Sequence, residues 1–381
     1  MKYTIGDLAE IIDGDRGKNY PQQHEFSDEG YCLFLNTGNV TKEGFSFNSN
    51  QYITKAKSDL LRKGKLQRRD IVYTTRGTVG NAAFYSDDIP YEHIRINSGM
   101  IIIRPKEELV CTEFLYQILK SEYYRPYFRK YCTGSAQPQL PIKNFITIEL
   151  DIPNLQSQRH IAGILSTYDT LIENNQEQIK LLEEAAQRLY KEWFVDLRFP
   201  GHENVKIVDG VPEGWSYIAI TDLLEIKYGK DHKGLADGDI PAYGSGGIMR
   251  RVNQALYSGE SVLIPRKGSL NNIMLVRGDF WTIDTMFFSV PKRKNITKYV
   301  YLFLSNVDMY AMNIGAAVPS MTVKILDGIK LLCPSDEILE RFENVAEPYF
   351  SMVNTLQSKN ASLTVARDLL LPKLMNRVIE V

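Results

Sequence analysis

Glycine-bearing turns that carry arginine, lysine, amide and aromatic side chains recur along this chain, and any binding chemistry would lie there. The first set has Arg16, Lys18 and Asn19 around Gly17, then Lys63-Gly64-Lys65, then Arg76-Gly77-Thr78 with Asn81 close behind. The second has Lys230, His232 and Lys233 after Gly229, Tyr243-Gly244-Ser245, Arg250 with Arg251, and Arg266-Lys267-Gly268-Ser269 with Asn271. Guanidinium and ammonium groups neutralise phosphates, Arg pairs with guanine, and Asn and Gln pair with adenine. Taken singly, each of these residues reads equally well as solvated loop charge. The recurrence at Arg76 and at Arg266/Lys267 is harder to explain that way. A further pair of stretches adds Gln137, Lys143 and Lys324 as candidates: Gly134-Ser135-Ala136-Gln137-Pro138 before Lys143, and Gly315-Ala316-Ala317-Val318-Pro319-Ser320 before Lys324.

Other chemistry is not signalled. The sequence has no Gly-x-x-x-x-Gly-Lys-Ser/Thr phosphate loop, no His-Glu-x-x-His, no Gly-x-Ser-x-Gly elbow and no Asn-Pro-Pro-Tyr/Phe methylation motif. His24, His93, His160, His202 and His232 are scattered, and Cys32, Cys111, Cys132 and Cys333 form no Cys-x-x-Cys, so neither a metal site nor a disulfide framework is expected. Gly244-Ser245-Gly246-Gly247 is better read as a turn than as a phosphate cradle. The pattern is that of a binder rather than a catalyst.

These turns need elements to hold them, and the strongest signal for those elements is helical. Ile161, Leu165, Tyr168, Ile172, Asn175, Ile179, Leu182, Ala186, Leu189 and Trp193 step alternately by four and three. Such a heptad seam marks a helix that packs lengthwise on another helix. Shifting by 181 residues gives a second seam: Phe342, Ala346, Tyr349, Val353, Leu356, Asn360, Leu363, Arg367, Leu370 and Leu374. Pro153 and Pro334 mark the two starts, Pro200-Gly201 stops the first helix, and Pro348 is expected to kink or restart the second. Each seam could instead form a homodimeric coiled coil. An internal partner at high effective concentration favours pairing within the chain. If the seams run antiparallel with paired numbers summing to 535, Asn175 meets Asn360 as a register-fixing polar pair, and Tyr168 stacks on Arg367.

The repeat extends past the helices. Ile5-Gly6-Asp7-Leu8 before Gly14 matches Ile220-Thr221-Asp222-Leu223 before Gly229, and Asp70-Ile71-Val72-Tyr73 matches Ser261-Val262-Leu263-Ile264. The first globular part is longer by about 30 residues, mostly between Gly14 and Asp70. Ser98–Ile103 and Thr285–Val290 read as buried strands; Phe114–Lys130 and Lys298–Asn313 read as helices. An α+β fold is expected for each part.

Composition sets loose bounds. The 381 residues carry 45 Lys+Arg against 46 Asp+Glu, a formal net charge of −1, so any basic surface must come from local clustering. Residues 1–153 have 20 bases to 19 acids and residues 200–333 have 15 to 13, while the helical segments are acidic. The start, Met1-Lys2-Tyr3-Thr4, lacks an apolar leader, and no apolar run approaches the roughly 20 residues of a membrane span, so a cytoplasmic protein is expected.

With these residues in view, the chain resembles the specificity (S) subunit of type I restriction–modification enzymes. Ile152-Pro153 through Gln158-Arg159-His160-Ile161-Ala162-Gly163-Ile164-Leu165 is similar to that family's central helix. Arg367-Asp368-Leu369-Leu370-Leu371-Pro372-Lys373-Leu374 is similar to its C-terminal ending, and Gly244–Gly247 with Val262–Gly268 to a second-domain pattern. The resemblance implies two similar globular target-recognition domains (1–152 and 200–333) separated by two long antiparallel helices (153–199 and 334–381). These form an intramolecular coiled coil with a pseudo-two-fold internal repeat. It implies a non-catalytic, sequence-specific DNA-binding subunit that reads a bipartite site in double-stranded DNA. Two methyltransferase (M) subunits and restriction (R) subunits would be its partners. It implies no cofactor in this chain; S-adenosylmethionine, ATP and Mg2+ would serve the partners. A coiled-coil scaffold whose paired domains bind proteins is the alternative, and a fused enzyme such as a nuclease a third reading.

Overall fold

Met100-Ile101-Ile102-Ile103 contains no polar residue because both faces of the strand it forms are covered. Ile101 and Ile103 enter one apolar cluster with Phe114 and Phe145, whereas Met100 and Ile102 enter another with Leu33 and Leu35. Side chains alternate along a strand, so two-sided burial demands an unbroken apolar run. The computed structural model describes residues 1–134, 137–312 and 320–375. Ser135 and Ala136 of one recurring stretch, and Gly315–Pro319 of its counterpart, lie outside the described residues. The chain divides into two compact units, Met1–Asn174 with Lys359–Val381, and Asn175–Ser358.

In chain order the first unit holds β1 (Lys2–Thr4), α1 (Ile5–Leu8), β2 (Ala9–Asp13), β3 (Cys32–Leu35), β4 (Val40–Thr41), β5 (Gly44–Phe45), β6 (Tyr52–Ile53), α2 (Lys55–Leu60), β7 (Ile71–Thr74), β8 (Ala82–Phe84), β9 (Ile94–Ile96), β10 (Met100–Pro105), α3 (Thr112–Lys120), α4 (Arg125–Arg129), α5 (Ile142–Phe145), β11 (Glu149–Asp151) and the start of α6 (Leu155–Tyr190). Its main sheet runs β2-β10-β7-β8, all antiparallel, and β1 pairs with β11. The second unit holds β12 (Ile207–Val208), β13 (Val211–Pro212), β14 (Ser216–Ala219), α7 (Ile220–Leu223), β15 (Leu224–Tyr228), β16 (Ile240–Gly244), β17 (Gly247–Val252), β18 (Tyr257–Pro265), β19 (Met274–Thr282), β20 (Met286–Pro291), α8 (Thr297–Leu304), α9 (Val323–Asp327), β21 (Lys330–Cys333) and the start of α10 (Asp336–Met375). Its sheet contains the run β15-β20-β18-β19, and β14 pairs with β21. Four strands and one flanking pair thus repeat in the same order. The first unit adds the sheet β6-β3-β9 and the second adds the hairpin β16-β17 on β19. Strands β3 to β6 and helix α2 occupy the stretch where the first part was expected to be longer.

Two expected helices are shorter than their apolar patterns suggested. Phe114–Lys130 is broken into α3 and α4 because Pro126 fits only the first turn of a helix. Lys298–Asn313 yields only α8, after which Asn306 donates its side-chain amide to the Leu302 carbonyl; Asn313 lies outside the described residues. Pro348 does not restart α10, which is continuous through it. It sits on the exposed face, where water can take the carbonyl it leaves unpaired.

All ten positions of the first seam, nine in α6 and Trp193 in the π-helical turn Lys191–Val195 that follows it, and all ten in α10 are buried or half-buried, whereas Leu171, Leu181, Val345 and Val365 between them are exposed. Within the first unit the helices run antiparallel. Asp169 meets Arg367 at 2.8 Å, and Asn360 donates to the Ile172 carbonyl at 3.2 Å. Arg367 therefore turns to Asp169 and Asp368 rather than onto the Tyr168 ring, since a carboxylate offers the stronger partner. Lys120 of α3 joins the same carboxylate at 2.6 Å, so three helices share one charge cluster. Within the second unit Phe342 of α10 packs edge-on against Phe194, with ring centres 4.8 Å apart, and Trp193 and Tyr299 close the group.

The second unit has its own polar joint. The amine of Lys298 on α8 is fully buried and reaches Glu343 at 2.5 Å, Glu347 at 2.7 Å and Glu260 at 3.1 Å. Arg277 of β19 forks onto Glu347 with two 2.9 Å bonds. The Glu347 carboxyl is pulled down to about 2, first by Arg277, against burial, and then by Lys298 and Ser351. A carboxyl pKa depressed by folding stabilises above its ordinary value of 4.5 and loses that contribution as pH falls toward 2. Glu347→Gln should therefore unfold in less urea than the parent at pH 7, and the gap should narrow steadily below about pH 4.5. A gap independent of pH would show that this ion pair does not hold α10 on the sheet.

Candidate nucleic-acid interface

The loops bearing the predicted contacts are organised by backbone bonds that repeat between the units. In the first, the Gly99 carbonyl accepts the N–H groups of Thr75 and Arg76 at 2.9 and 3.2 Å. In the second, the Thr285 carbonyl accepts those of Arg266 and Lys267 at 2.8 and 3.2 Å. Leu140 N–H then donates to the Thr75 carbonyl, and Met321 N–H to the Arg266 carbonyl. Strand register agrees, with Met100 opposite Thr74 and Met286 opposite Pro265. Arg76 therefore corresponds to Lys267 alone, and Thr75 to Arg266, a correction to the looser match made from sequence.

Two glycine pairs allow this frame. A Cβ on Gly14 would lie 2.2 Å from the Asn97 carbonyl oxygen, and one on Gly229 would lie 1.9 Å from that of Ile283. Only glycine lets the end of β2 or β15 pass so close to the neighbouring turn. Gly77 and Gly268 both have positive φ, 69° and 84°, and reverse the chain right after Arg76 and Lys267.

In the first unit Arg16, Lys18, Arg76, Thr78, Gln137 and Lys143 are exposed. Arg16 donates to Asp13 and to the Ser98 carbonyl, both at 3.2 Å. The Asp15 carboxylate ties this loop to the next one, accepting from Gly17 N–H and Arg62 N–H at 2.7 Å each; its pKa is lowered, chiefly by the Gly17 bond. Asn19 is half-buried and donates to the Leu60 carbonyl. Asn81 does not face outward. It is buried and its amide donates to the Val40 carbonyl at 3.0 Å, which makes it a brace under the turn. Thr37, Asn97 and Ser98 were missed from sequence. A Cβ on Gly99 would touch Thr37 at 2.8 Å and Arg76 at 3.9 Å, so these residues share one patch. The tripeptide Asn97-Ser98-Gly99 is itself a turn signal that could have found them.

In the second unit Lys230, Lys233, Lys267, Ser269 and Lys324 are exposed, and Tyr243 and Ser245 are half-buried. Ser245 adjoins Gly268 and its carbonyl accepts from Asn272, joining the Tyr243-Gly244-Ser245 turn to the Arg266 loop. Arg266 lies over the Tyr228 ring at 5.4 Å. Asn271 is occupied as a loop tie: it donates to Asp308 at 3.3 Å and accepts from Met309 N–H at 2.8 Å. The Asp308 carboxyl is correspondingly held low, first by Asn271. His232 is half-buried. Arg250 and Arg251 are engaged elsewhere, with Asp237 at 2.6 Å and the Asp239 carbonyl at 2.5 Å. The four cysteines are free thiols. Among the described residues no cluster of His, Cys, Asp and Glu is placed to hold a metal, and no helix is long and apolar enough to cross a membrane.

Two β-rich units with equivalent loop frames, joined by paired helices, match a known family. The family model described as the type I restriction modification DNA specificity domain matches residues 1–184 and 212–357. The chain belongs to this family. It is a DNA-specificity subunit of a type I restriction–modification system, non-catalytic within such complexes. It is 26% identical to the type I restriction enzyme MjaIX specificity subunit of Methanocaldococcus jannaschii, over 80% of this chain and 76% of that one. It is 22% identical to the HindI specificity subunit of Haemophilus influenzae, over 98% and 99%. In fold it is similar to the crystal structure of the type I S subunit from M. genitalium, with a TM-score of 0.55 and 19% identity over 98% of this chain and 96% of that one.

As a specificity subunit, it should separate brace from contact when the two are substituted. Arg76→Ala should leave the unfolding free energy within about 0.5 kcal/mol, since exposed side chains contribute little, yet weaken DNA binding. Asn81→Ala should cost about 1–3 kcal/mol by stranding a buried carbonyl. Urea unfolding and DNA titration at fixed salt check both; equal stability losses would reverse the assignment.

Proposed function

We propose that each unit presents its loop frame to one half of a split site in double-stranded DNA, with recognition domains at 1–152 and 200–333. The helical segments 153–199 and 334–381 act as the spacer that fixes how far apart the half-sites lie. On this reading Asn175 and Asn360 face each other in the seam and set its register. Two methyltransferase subunits dock on the helices, and restriction subunits join them. S-adenosylmethionine, ATP and Mg2+ belong to those partners, and the assembly works on cytoplasmic DNA.

The observation that carries this reading is the repeated frame itself. The same backbone bonds at Gly99 and Thr285 support loops of different composition. One scaffold with two unlike sets of base-pairing side chains suits two different half-sites. Half-sites read from one face lie about one turn, roughly 34 Å, apart. Footprinting of the complex assembled with its methyltransferase should show two protected segments flanking an unprotected gap, with affinity falling steeply as salt rises. One continuous footprint centred on a single unit, or salt-independent binding, would overturn this reading.

A further inference from the structure

Two arginines from unlike loops reach the same point of the repeated frame. The register defines that point. Asp13 stands opposite Ile101 in the first sheet and Tyr228 opposite Phe287 in the second, so Asp13 and Tyr228 are equivalent. Ser98 and Asp284 are likewise equivalent, each directly before the residue whose carbonyl binds the turn. Arg16 Nη2 lies 3.2 Å from Asp13 Oδ1 and 3.2 Å from the Ser98 carbonyl. Arg266 Nη1 donates to the Asp284 carbonyl at 3.2 Å, with its Cζ 5.4 Å from the Tyr228 ring centre. Yet Arg16 follows β2 and Arg266 follows β18. The residue equivalent to Arg266 is Thr75, which is buried and bonded to the Gly99 carbonyl. The guanidinium keeps its place in space while its source loop changes, and the equivalent support position supplies a carboxylate in one unit and an aromatic face in the other.

A guanidinium held at two points has lost most of its rotamer freedom before any ligand arrives, and its remaining N–H donors keep a fixed direction. That suits the paired O6 and N7 acceptors on the major-groove edge of guanine, for which bidentate arginine is the commonest partner. The neighbouring Lys18, Lys230 and Lys267 have no ion-pair partner among the described residues, and a freely turning ammonium suits phosphate, which demands less orientation. Arg76 is not held this way, and Arg250 and Arg251 are engaged by Asp237 and the Asp239 carbonyl rather than by the frame's own support positions.

We propose that Arg16 and Arg266 each read one guanine, one per half-site, with Asp13 and Tyr228 as their positioning residues. This rests on the split-site reading above. The test is methylation-site sequencing with the full chain assembled with its methyltransferase. Arg266→Ala should cut guanine preference about 10- to 100-fold at one position of one half-site and leave the other half-site unchanged. Arg16→Ala should do the same in the other half. Arg16→Lys and Arg266→Lys keep the charge but lose the fork, and should relax the same positions with less loss of overall binding. Tyr228→Ala keeps the Arg266 side chain but removes one of its two supports, and should weaken preference at the same base as Arg266→Ala. Uniform weakening across all sequences, changes in both halves from one substitution, or an unchanged guanine would overturn the proposal. A parent complex with no split site would instead sink the reading it rests on. A split site lacking guanine in either half would sink this inference alone.

Discussion

Neither unit can close its core without both long helices. Ile161 and Leu165 of α6 and Leu371 and Leu374 of α10 are buried in the core of the first unit. Ala186, Tyr190 and Trp193, with Phe342 and Ala346, do the same in the second. Each of the larger side chains among these, the two alanines aside, contributes on the order of 1.5–3 kcal/mol of burial that a lone β-rich domain would lack. The seam is therefore more than a contact between helices. It makes each recognition domain continuous with the rod that carries it, and the polar joints at Asp169 and Lys298 add direction to that attachment. Burying charge in this way is a weak source of stability, but it penalises misregistered packing because an unpaired partner would be left behind.

Above that base, the architecture separates support from contact. The turns at Gly77 and Gly268 are held by backbone donors and a backbone carbonyl, which constrain side-chain identity little. The outward residues are then free to differ between units. Threonine and arginine can exchange places at positions 75 and 266 without disturbing the bonds beneath them. Near-zero net charge is compatible with DNA binding for the same reason. Acids beside the frame are spent on holding loops, as Asp13 and Asp15 are, leaving exposed lysines and arginines there.

Much of this was legible in the sequence because it rests on periodicity. The alternating four-three steps identified both seams down to individual residues, and the apolar runs at Met100 and Met286 marked central strands. The equivalence of Thr75 with Arg266 was only half legible. The strand match of Asp70 with Ser261 implies it, but the basic cluster left Arg76 opposite either Arg266 or Lys267, and the choice depends on which carbonyl each N–H meets across the sheet. Asn81 and Asn271 looked like contacts because amides read bases, but amides also close loops, and only burial and bonding tell the two uses apart. Pro348 looked like a break because a proline removes one helical bond, yet on an exposed face that loss is small beside the packing of the opposite face.

The central claim is that helix length, and not the loops, sets the distance between the half-sites. It is tested most directly by inserting one seven-residue heptad at matched points in α6 and α10 and sequencing the sites methylated by the assembled complex. At about 1.5 Å per helical residue and about 3.4 Å per base pair, the gap should widen by about three base pairs while every base read stays the same. An unchanged gap, or new bases in either half-site, would contradict it.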